Sequence, residues 1–163
     1  PDSRRISVAN LLRAVACLYR PVVEDRGQTL IVKKPADDMM LKGNRVLLIQ
    51  MLSNLIENAI NHSPPRTVIF LSAHHIEDKI TLVIADTGPG IPAHEHERVF
   101  EKMVRLDTSR SVPGTGLGLS MVRAIARLHG GNVRLSDNRP GLCCEIIMPA
   151  PSDTETGDAP GPG

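Results

Sequence analysis

The sequence predicts an α+β domain in which a layer of helices packs on one face of a sheet. Helical and strand patterns follow one another in mixed order along the chain, which argues against an all-α or an all-β fold. At 163 residues the chain is long enough for one core and too short for two ordinary domains. Its 41% hydrophobic and 23% charged residues are typical of a soluble globular domain.

Apolar residues recur at helical spacing in three segments, so each is predicted to be a helix. In the segment Val8–Arg26, Leu11, Leu12, Val15, Leu18 and Val22 follow this spacing, and Pro21 is expected to kink or split the helix. The second helix starts at Gly43 and Asn44 and runs to His62, before two prolines. The third runs from Gly116 to Leu128 and ends at glycines that suit a left-handed cap.

The β-rich runs lie between these helices. Thr67–Ala73 and Lys79–Ala85 are predicted to form a hairpin across the polar stretch His74–Asp78. The other predicted strands are Gln28–Lys33, Asp37–Leu41, Asn132–Ser136 and Leu142–Met148, the last two joined by a turn at Asn138–Gly141. We expect a short helix from Ile91 to Phe100, a mobile loop over 101–115 and a disordered C-terminal tail over 150–163, so that the domain itself spans 1–149.

Composition and net charge disfavour several classes of function. The net charge of +1 does not favour a polyanionic partner, and an aromatic content of 2% without Trp disfavours a nucleic-acid surface that stacks on bases. Three cysteines, two of them adjacent, suit a reduced, cytoplasmic setting. No apolar run is long enough to span a bilayer, so no membrane contact is expected. Because the chain begins at Pro1, we expect it to be part of a longer protein, which could itself be membrane-anchored.

Three asparagines share one stripe of the second predicted helix. Asn54, Asn58 and Asn61 stand at i, i+4 and i+7, which at about 100° per residue places them on one narrow face. Asn is a poor helix former, so this pattern indicates either an exposed polar face or the polar wall of a pocket. An amide oxygen is a suitable ligand for Mg²⁺, and the amide NH₂ can donate to a phosphate. Glu57, beside the stripe, is expected to face water.

A single carboxylate ends the most apolar predicted strand. Asp86 follows Ile84 and Ala85 and is followed by the sequence Thr-Gly-Pro-Gly. Such a carboxylate can accept a hydrogen bond from an exocyclic amino group such as that of adenine, and Gly88 and Gly90 would let the ring approach the backbone. A strand end followed by an ordinary tight turn would explain the same residues.

A third segment alternates glycine with other residues directly before a helix. Gly114, Gly116 and Gly118 would let backbone N–H groups approach a phosphate, and the positive end of the helix that follows points at the same anion. Glycine-rich turns are common, so the segment gains weight from its combination with the asparagine stripe and the aspartate turn.

Together these segments resemble the N box and the two glycine boxes of bacterial histidine kinases, in the GHKL ATPase superfamily. The residues that carry the resemblance are Asn54-Leu55-Ile56-Glu57-Asn58-Ala59, Asp86-Thr87-Gly88-Pro89-Gly90-Ile91-Pro92 and Gly114-Thr115-Gly116-Leu117-Gly118-Leu119. The stretch 99–105 is similar to the phenylalanine box of that family. The resemblance implies a Bergerat fold, a two-layer α/β sandwich with a mixed, mostly antiparallel sheet of about five strands and three main helices on one face.

The resemblance also implies roles for individual residues. Asn58 would bind Mg²⁺, with Asn54 as the second, catalytic asparagine of the box, and Asp86 would recognise adenine. Arg105 would approach the terminal phosphates from a lid and offset charge during transfer. The implied nucleotide-binding set is Asn54, Asn58, Asn61, His62, Asp86, Gly88, Gly90, Ile91, Arg105, Gly114, Thr115, Gly116, Leu117, Gly118 and Leu119.

The implied function is binding of Mg-ATP and donation of its γ-phosphate to a histidine on a separate dimerisation domain, with a response regulator as indirect partner. None of the six histidines lies in a helix with the family's acceptor pattern, so the acceptor is expected elsewhere in the parent protein. Asn61 stands where the family often has Lys or Arg, and Met103, Leu142 and Cys144 also depart from the family pattern.

Two alternatives remain at this point. One is a GHKL ATPase of the chaperone, topoisomerase or mismatch-repair type, which would need a Glu where this chain has Asn54. The other is a degenerate module that keeps the fold and binds partner proteins without ATP. The departures from the family pattern at Asn61 and Met103 suggest this second alternative.

Overall fold

The structure is a computed structural model that describes residues 4–36, 38–89, 94 and 117–152. In chain order its elements are β1 (Arg4–Ser7), α1 (Val8–Asp25), β2 (Thr29–Val32), β3 (Met40–Gly43), α2 (Arg45–Asn61), β4 (Val68–Ile76), β5 (Lys79–Asp86), α3 (Leu117–Leu128), β6 (Asn132–Asp137) and β7 (Leu142–Pro149). The helix expected at 91–100 and the loop expected at 101–115 fall outside the described residues, apart from His94, as do residues 153–163.

The main sheet has five strands in the order β2-β4-β5-β7-β6. Only its edge pair β2–β4 is parallel, with Thr29 opposite Val68, and every other pairing in it is antiparallel. The strands β1 and β3 form a separate two-stranded sheet. The predicted α+β class, with a mixed and mostly antiparallel sheet and three helices, is therefore confirmed.

One hydrophobic core lies between the helices and the main sheet. The predicted apolar face of α2 is buried as expected, because Leu48, Leu52, Leu55, Ile56, Ala59 and Ile60 are all in the core. On α1 the prediction is only partly right. Leu11, Leu12 and Val15 are fully buried, whereas Leu18 and Val22 lie at the edge of the buried stripe and are 58% and 45% exposed.

Three local predictions need correction. The helix α1 runs unbroken through Pro21, so the predicted split is wrong; Pro21 and Cys17 are both exposed, and water can satisfy the Cys17 carbonyl that proline leaves without a donor. His74 and His75 belong to β4, not to the connection, which is only Glu77 and Asp78. The strand β1 was not predicted at all.

His129 joins the end of α3 to the start of α2. Its Nε2 atom accepts a hydrogen bond from the backbone N–H of Asn44 at 3.1 Å, and its Nδ1 atom lies 2.8 Å from the Ile125 carbonyl. Because a backbone N–H can only donate, Nε2 is the acceptor of the first bond, which leaves Nδ1 to donate to the Ile125 carbonyl. The imidazole of His129 therefore links the last turn of α3 to Asn44, the N-cap of α2. Gly43 makes room for the ring, since a Cβ there would lie 2.3 Å from His129 Cδ2.

This contact predicts a coupled pair of substitutions. Replacing His129 with Ala should lower the free energy of unfolding by about 1–3 kcal/mol, because the Asn44 N–H loses its acceptor. Replacing Gly43 with Ala should cost a similar amount by displacing the ring, yet cost little more once His129 is Ala. Urea unfolding of the single and double variants measures this coupling. Strictly additive losses would show that Gly43 and His129 act independently.

Candidate functional site

The helix α2 carries the asparagine stripe on a partly exposed face. Asn54 and Asn58 are half-buried, while Asn61, the last residue of the helix, and His62, its C-cap, are exposed. The opposite face of α2 packs into the core, so the helix cannot rotate without exposing apolar surface. The stripe therefore faces a fixed direction beside the sheet.

Glu57 is directed away from this stripe by a contact between helices. It is exposed, as expected, and accepts a short hydrogen bond from the hydroxyl of Tyr19 on α1. Partial burial raises the pKa of Tyr19, and the hydrogen bond to Glu57 raises it further. The tyrosine thus stays a donor at neutral pH and holds the Glu57 carboxylate toward α1.

Asp86 lies at the end of β5 and is the one carboxylate in the predicted set of site residues. It is only 7% exposed. Its Oδ1 atom accepts hydrogen bonds from the backbone N–H of Gly88 at 2.8 Å and of Leu142 at 3.4 Å. Burial raises the pKa of Asp86, and these two hydrogen bonds oppose the rise. Among the described residues both bonds go to the same oxygen, which leaves Oδ2 as an acceptor for another group.

The turn between β6 and β7 contacts the backbone carbonyl of Asp86. The side-chain amide of Asn138 donates to the Asp86 carbonyl at 2.7 Å. Gly141 approaches the same carbonyl so closely that a Cβ would lie 1.7 Å from the oxygen, and its φ of +109° is one that side-chain-bearing residues rarely adopt. Sequence reasoning identified this segment as a turn and missed its contact with Asp86. The available signal was an Asn and a Gly at its two ends.

The turn after Asp86 is anchored to both neighbouring elements. Thr87 exchanges two hydrogen bonds with the backbone of Val68, at 2.9 and 3.1 Å. A Cβ on Gly88 would lie 2.7 Å from Ser63 Oγ, so the glycine allows this turn to meet the segment that follows α2. Ser63 was not among the predicted residues. Its contact with Gly88 brings the end of the asparagine helix to the aspartate turn.

Gln28 holds that same segment in place from within the core. It is 4% exposed, and its Nε2 atom donates to the carbonyls of Ser63 at 2.8 Å and Ile60 at 3.1 Å. These carbonyls belong to the last turn of α2 and the residues after it, which lack helical donors of their own. The position of Ser63 beside Gly88 is therefore set by a buried side chain near β2.

The glycine-rich segment is only partly within the described residues. The helix α3 begins at Leu117, so Gly118, the last of the three predicted phosphate-binding glycines, lies in its first turn. The side chain of Leu119 is 2% exposed and packs in the core, so any contact it makes with a ligand would come from its backbone. Gly90, Ile91, Arg105, Gly114, Thr115 and Gly116 lie outside the described residues, and their roles stay predictions.

The residues at the family-divergent positions of β7 take separate roles. Leu142 is half-buried and supports Asp86 through its backbone N–H. Cys144 is buried in the core opposite Ile84, and burial raises the pKa of its thiol. Cys143 is half-buried, and all three cysteines are free. No three His, Cys, Asp or Glu side chains within the described part of the chain are grouped as a metal site.

This fold and the buried aspartate at the end of β5 agree with the results of sequence comparison. Residues 43–152 match the family described as histidine kinase-, DNA gyrase B- and HSP90-like ATPases, and the chain belongs to that family. Within it, the chain is an ATP-binding catalytic domain of the sensor histidine kinase type. The sensor protein IrlS of Burkholderia pseudomallei is 38% identical over 130 residues, which cover 78% of this chain and 27% of IrlS.

Solved structures agree with this assignment. The mycobacterial sensor histidine kinase MprB superposes with a TM-score of 0.73 at 27% identity, covering 91% of this chain and 97% of that one. Full-length ShkA, in complex with AMPPNP, superposes with a TM-score of 0.77 at 26% identity, covering 92% of this chain and 31% of ShkA. The chain therefore spans well under half the length of IrlS and of ShkA. Among the described helices, none combines the length and apolarity needed to cross a lipid bilayer.

Proposed function

We propose that this chain binds Mg-ATP and donates the γ-phosphate to a histidine on a separate dimerisation domain of a two-component sensor kinase. The observation that carries the proposal is the buried Asp86 carboxylate at the end of β5, in a chain that belongs to the histidine kinase-type ATPases. A response regulator would receive the phosphoryl group from that histidine. The domain would act in the cytoplasm, with any membrane anchor in another part of the parent protein.

Recognition of the base would fall to Asp86. Two backbone N–H groups hold its Oδ1 atom, so the carboxylate cannot turn freely, and Oδ2 is left to accept from the exocyclic amino group of adenine. A purine with a carbonyl at that position would place two acceptors against each other. This difference would favour ATP over GTP by the cost of an unpaired buried acceptor, about 1–3 kcal/mol.

Binding of the phosphates would fall to α2, the glycines and the lid. Asn58 would supply an amide oxygen to Mg²⁺, and Asn54 would act beside it on the phosphates. The helix α3 starts directly after Gly114 and Gly116 in the sequence, so the positive end of its dipole would face the phosphates of the bound nucleotide. Arg105 would neutralise charge on the transferring group. Placement and charge neutralisation supply most of the catalysis in phosphoryl transfer, so these residues would suffice on the donor side.

The acceptor histidine would come from outside this chain. Four of the five described histidines have a clear place in the fold: His62 caps α2, His74 and His75 lie on β4, and His129 is hydrogen-bonded at both ring nitrogens. None of these four lies within a helix, where the family's acceptor is found. Without its acceptor domain the chain should turn ATP over only slowly.

A binding and turnover experiment tests this function. Titration calorimetry should show ATP binding by the chain that is strengthened by Mg²⁺, with slow hydrolysis. Adding the histidine-bearing helical domain of the parent protein should transfer acid-labile phosphate to it. No measurable binding would favour a degenerate protein-binding module. Rapid steady hydrolysis without an acceptor would favour an ATPase of the chaperone type.

Loss of the proposed metal ligand should have a metal-dependent effect. Replacing Asn58 with Ala should weaken Mg-ATP by about 5- to 30-fold, as expected for about 1–2 kcal/mol, and weaken ATP in EDTA much less. Calorimetric titrations with and without Mg²⁺ measure both losses. Val46→Ala, which shortens a 74% exposed side chain on the same helix, is the control and should change neither. Equal losses with and without the metal would remove Asn58 from the metal site.

A further inference from the structure

A groove of about 940 Å³ lies on the opposite end of α2 from the asparagine stripe. Among the described residues, its lining includes four arginines, Arg4, Arg5, Arg13 and Arg45, and no Asp or Glu. The whole chain is nearly balanced, with 19 Lys and Arg against 18 Asp and Glu. The positive charge in the groove is therefore a local concentration and does not reflect the composition of the chain.

The arginines are presented by three different elements that are fixed to one another. Arg4 and Arg5 lie on β1, which pairs with β3, Arg13 lies on α1, and Arg45 begins α2. The helix starts that border the groove are capped, since Ser7 Oγ accepts from Asn10 N–H and Asn44 Oδ1 from Leu47 N–H. Because its frame is rigid, a ligand would meet the groove in its final shape, at a small entropic cost.

A second groove, of about 650 Å³, continues the basic face along α1. It shares Arg13 and Cys17 with the first and adds Arg20 and Lys34, and Glu24 is the only acidic residue in the described part of its lining. Arg20 is held in place by a 2.7 Å hydrogen bond to the Leu30 carbonyl. Counted over the described residues, the two linings together present six cationic side chains and one carboxylate.

The remaining lining of the first groove indicates what kind of anion it fits. Ala14, Leu47 and the 74% exposed Val46 give it an aliphatic part, and neither lining, as far as its residues are described, contains an aromatic residue on which bases could stack. The surface is concave, whereas helices that lie on lipid present a face of large apolar side chains such as Trp, Phe and Leu for insertion. Guanidinium groups match carboxylates in paired hydrogen bonds.

We propose that this face docks an acidic polypeptide segment, with its Asp or Glu side chains on the arginines and an aliphatic side chain against Val46 and Leu47. Arg45 and Asn58 are 13 residues apart on α2, so the groove lies about 20 Å along the helix from the proposed metal ligand. The docking site is thus separate from the nucleotide site, and its occupancy does not depend on the proposed function.

Fluorescence anisotropy with a labelled helical peptide of about 15 residues, built from Glu and Leu, tests the proposal. The chain should bind this peptide, and binding should weaken about tenfold between about 50 and about 200 mM salt. A second peptide with Gln in place of every Glu should not bind. The double variant Arg13→Glu, Arg45→Glu should weaken binding at least about tenfold and leave ATP binding unchanged.

The matched control is Lys79→Glu with Arg127→Glu, which makes the same change in net charge at exposed positions outside both grooves. It should keep peptide affinity within about twofold. If charge reversal unfolds the first pair, Arg13→Gln with Arg45→Gln replaces it. Equal losses in the two pairs, or equal binding of the Gln peptide, would overturn the proposal. Tighter binding of single-stranded DNA or phosphatidylserine vesicles, dependent on the same arginines, would assign the groove to another class and also overturn it.

Discussion

Replacing Asp86 with Asn should abolish measurable ATP binding while leaving the domain folded. The amide oxygen would stay with the N–H groups of Gly88 and Leu142, so its NH₂ would face the amino group of adenine, donor against donor. Two buried donors that face each other without an acceptor cost about 3 kcal/mol of binding free energy, which lowers the affinity for ATP more than about 100-fold. Titration calorimetry with Mg-ATP measures the loss. Asp78→Asn, an exposed aspartate in the β4–β5 turn, makes the same charge change and should bind normally.

The stability of the Asp86→Asn variant separates lost recognition from lost folding. Because burial raises the pKa of Asp86, the stability that this group contributes is present below its ordinary value of 3.8 and is lost as pH rises through the folded value. The uncharged Asn variant should therefore be at least as stable as the parent at neutral pH. Urea unfolding at about pH 4 and about pH 7 measures the difference. A large loss of stability at neutral pH would mean that binding failed because the fold did.

Replacing Gly141 with Ala should be the most damaging single methyl addition in the described site. The new Cβ would lie 1.7 Å from the Asp86 carbonyl oxygen, at a φ of +109°. The β6–β7 turn would have to move off the end of β5, at a cost of about 3 kcal/mol or more, and Asp86 would lose its support. Urea unfolding and ATP titration should both show the effect.

Gly130→Ala is the matched control for that variant. Gly130 also has a positive φ, +77°, yet a Cβ there would meet Pro149 at an ordinary 3.6 Å. Its substitution should therefore cost only about 1 kcal/mol for the backbone conformation and leave ATP binding unchanged. Similar losses in the two variants would show that φ, and not the approach to Asp86, explains the effect at Gly141.

The parts of the site that sequence predicted are the parts encoded locally. The stripe on α2 follows from helical periodicity, and Asp86 follows from its place at the end of an apolar strand. What sequence missed depends on contacts between distant residues. Asn138 is 52 positions from Asp86, and His129 is 85 positions from Asn44, so no local pattern could pair them.

The same reasoning explains the errors in the fold. The strand β1 has only four residues and exists because β3, far along the chain, offers it a partner. Pro21 was expected to kink or split α1, but the helix is continuous and the proline lies on an exposed face, where water can reach the carbonyl that lacks a donor. The exposure of Leu18 and Val22 depends on the rotation of α1 about its own axis relative to α2, which helical spacing alone cannot specify.

The parallel pairing of β2 with β4 has a consequence for local unfolding of the domain. Their connection contains α2, and Gln28, directly before the four-residue edge strand β2, holds the C-terminal end of that helix through its hydrogen bonds to Ile60 and Ser63. Fraying of that edge would release Gln28 and, with it, the last turn of α2 beside Asp86. We therefore expect nucleotide binding at the proposed site and amide-exchange protection of β2 to be thermodynamically linked, although β2 contributes no residue to that site.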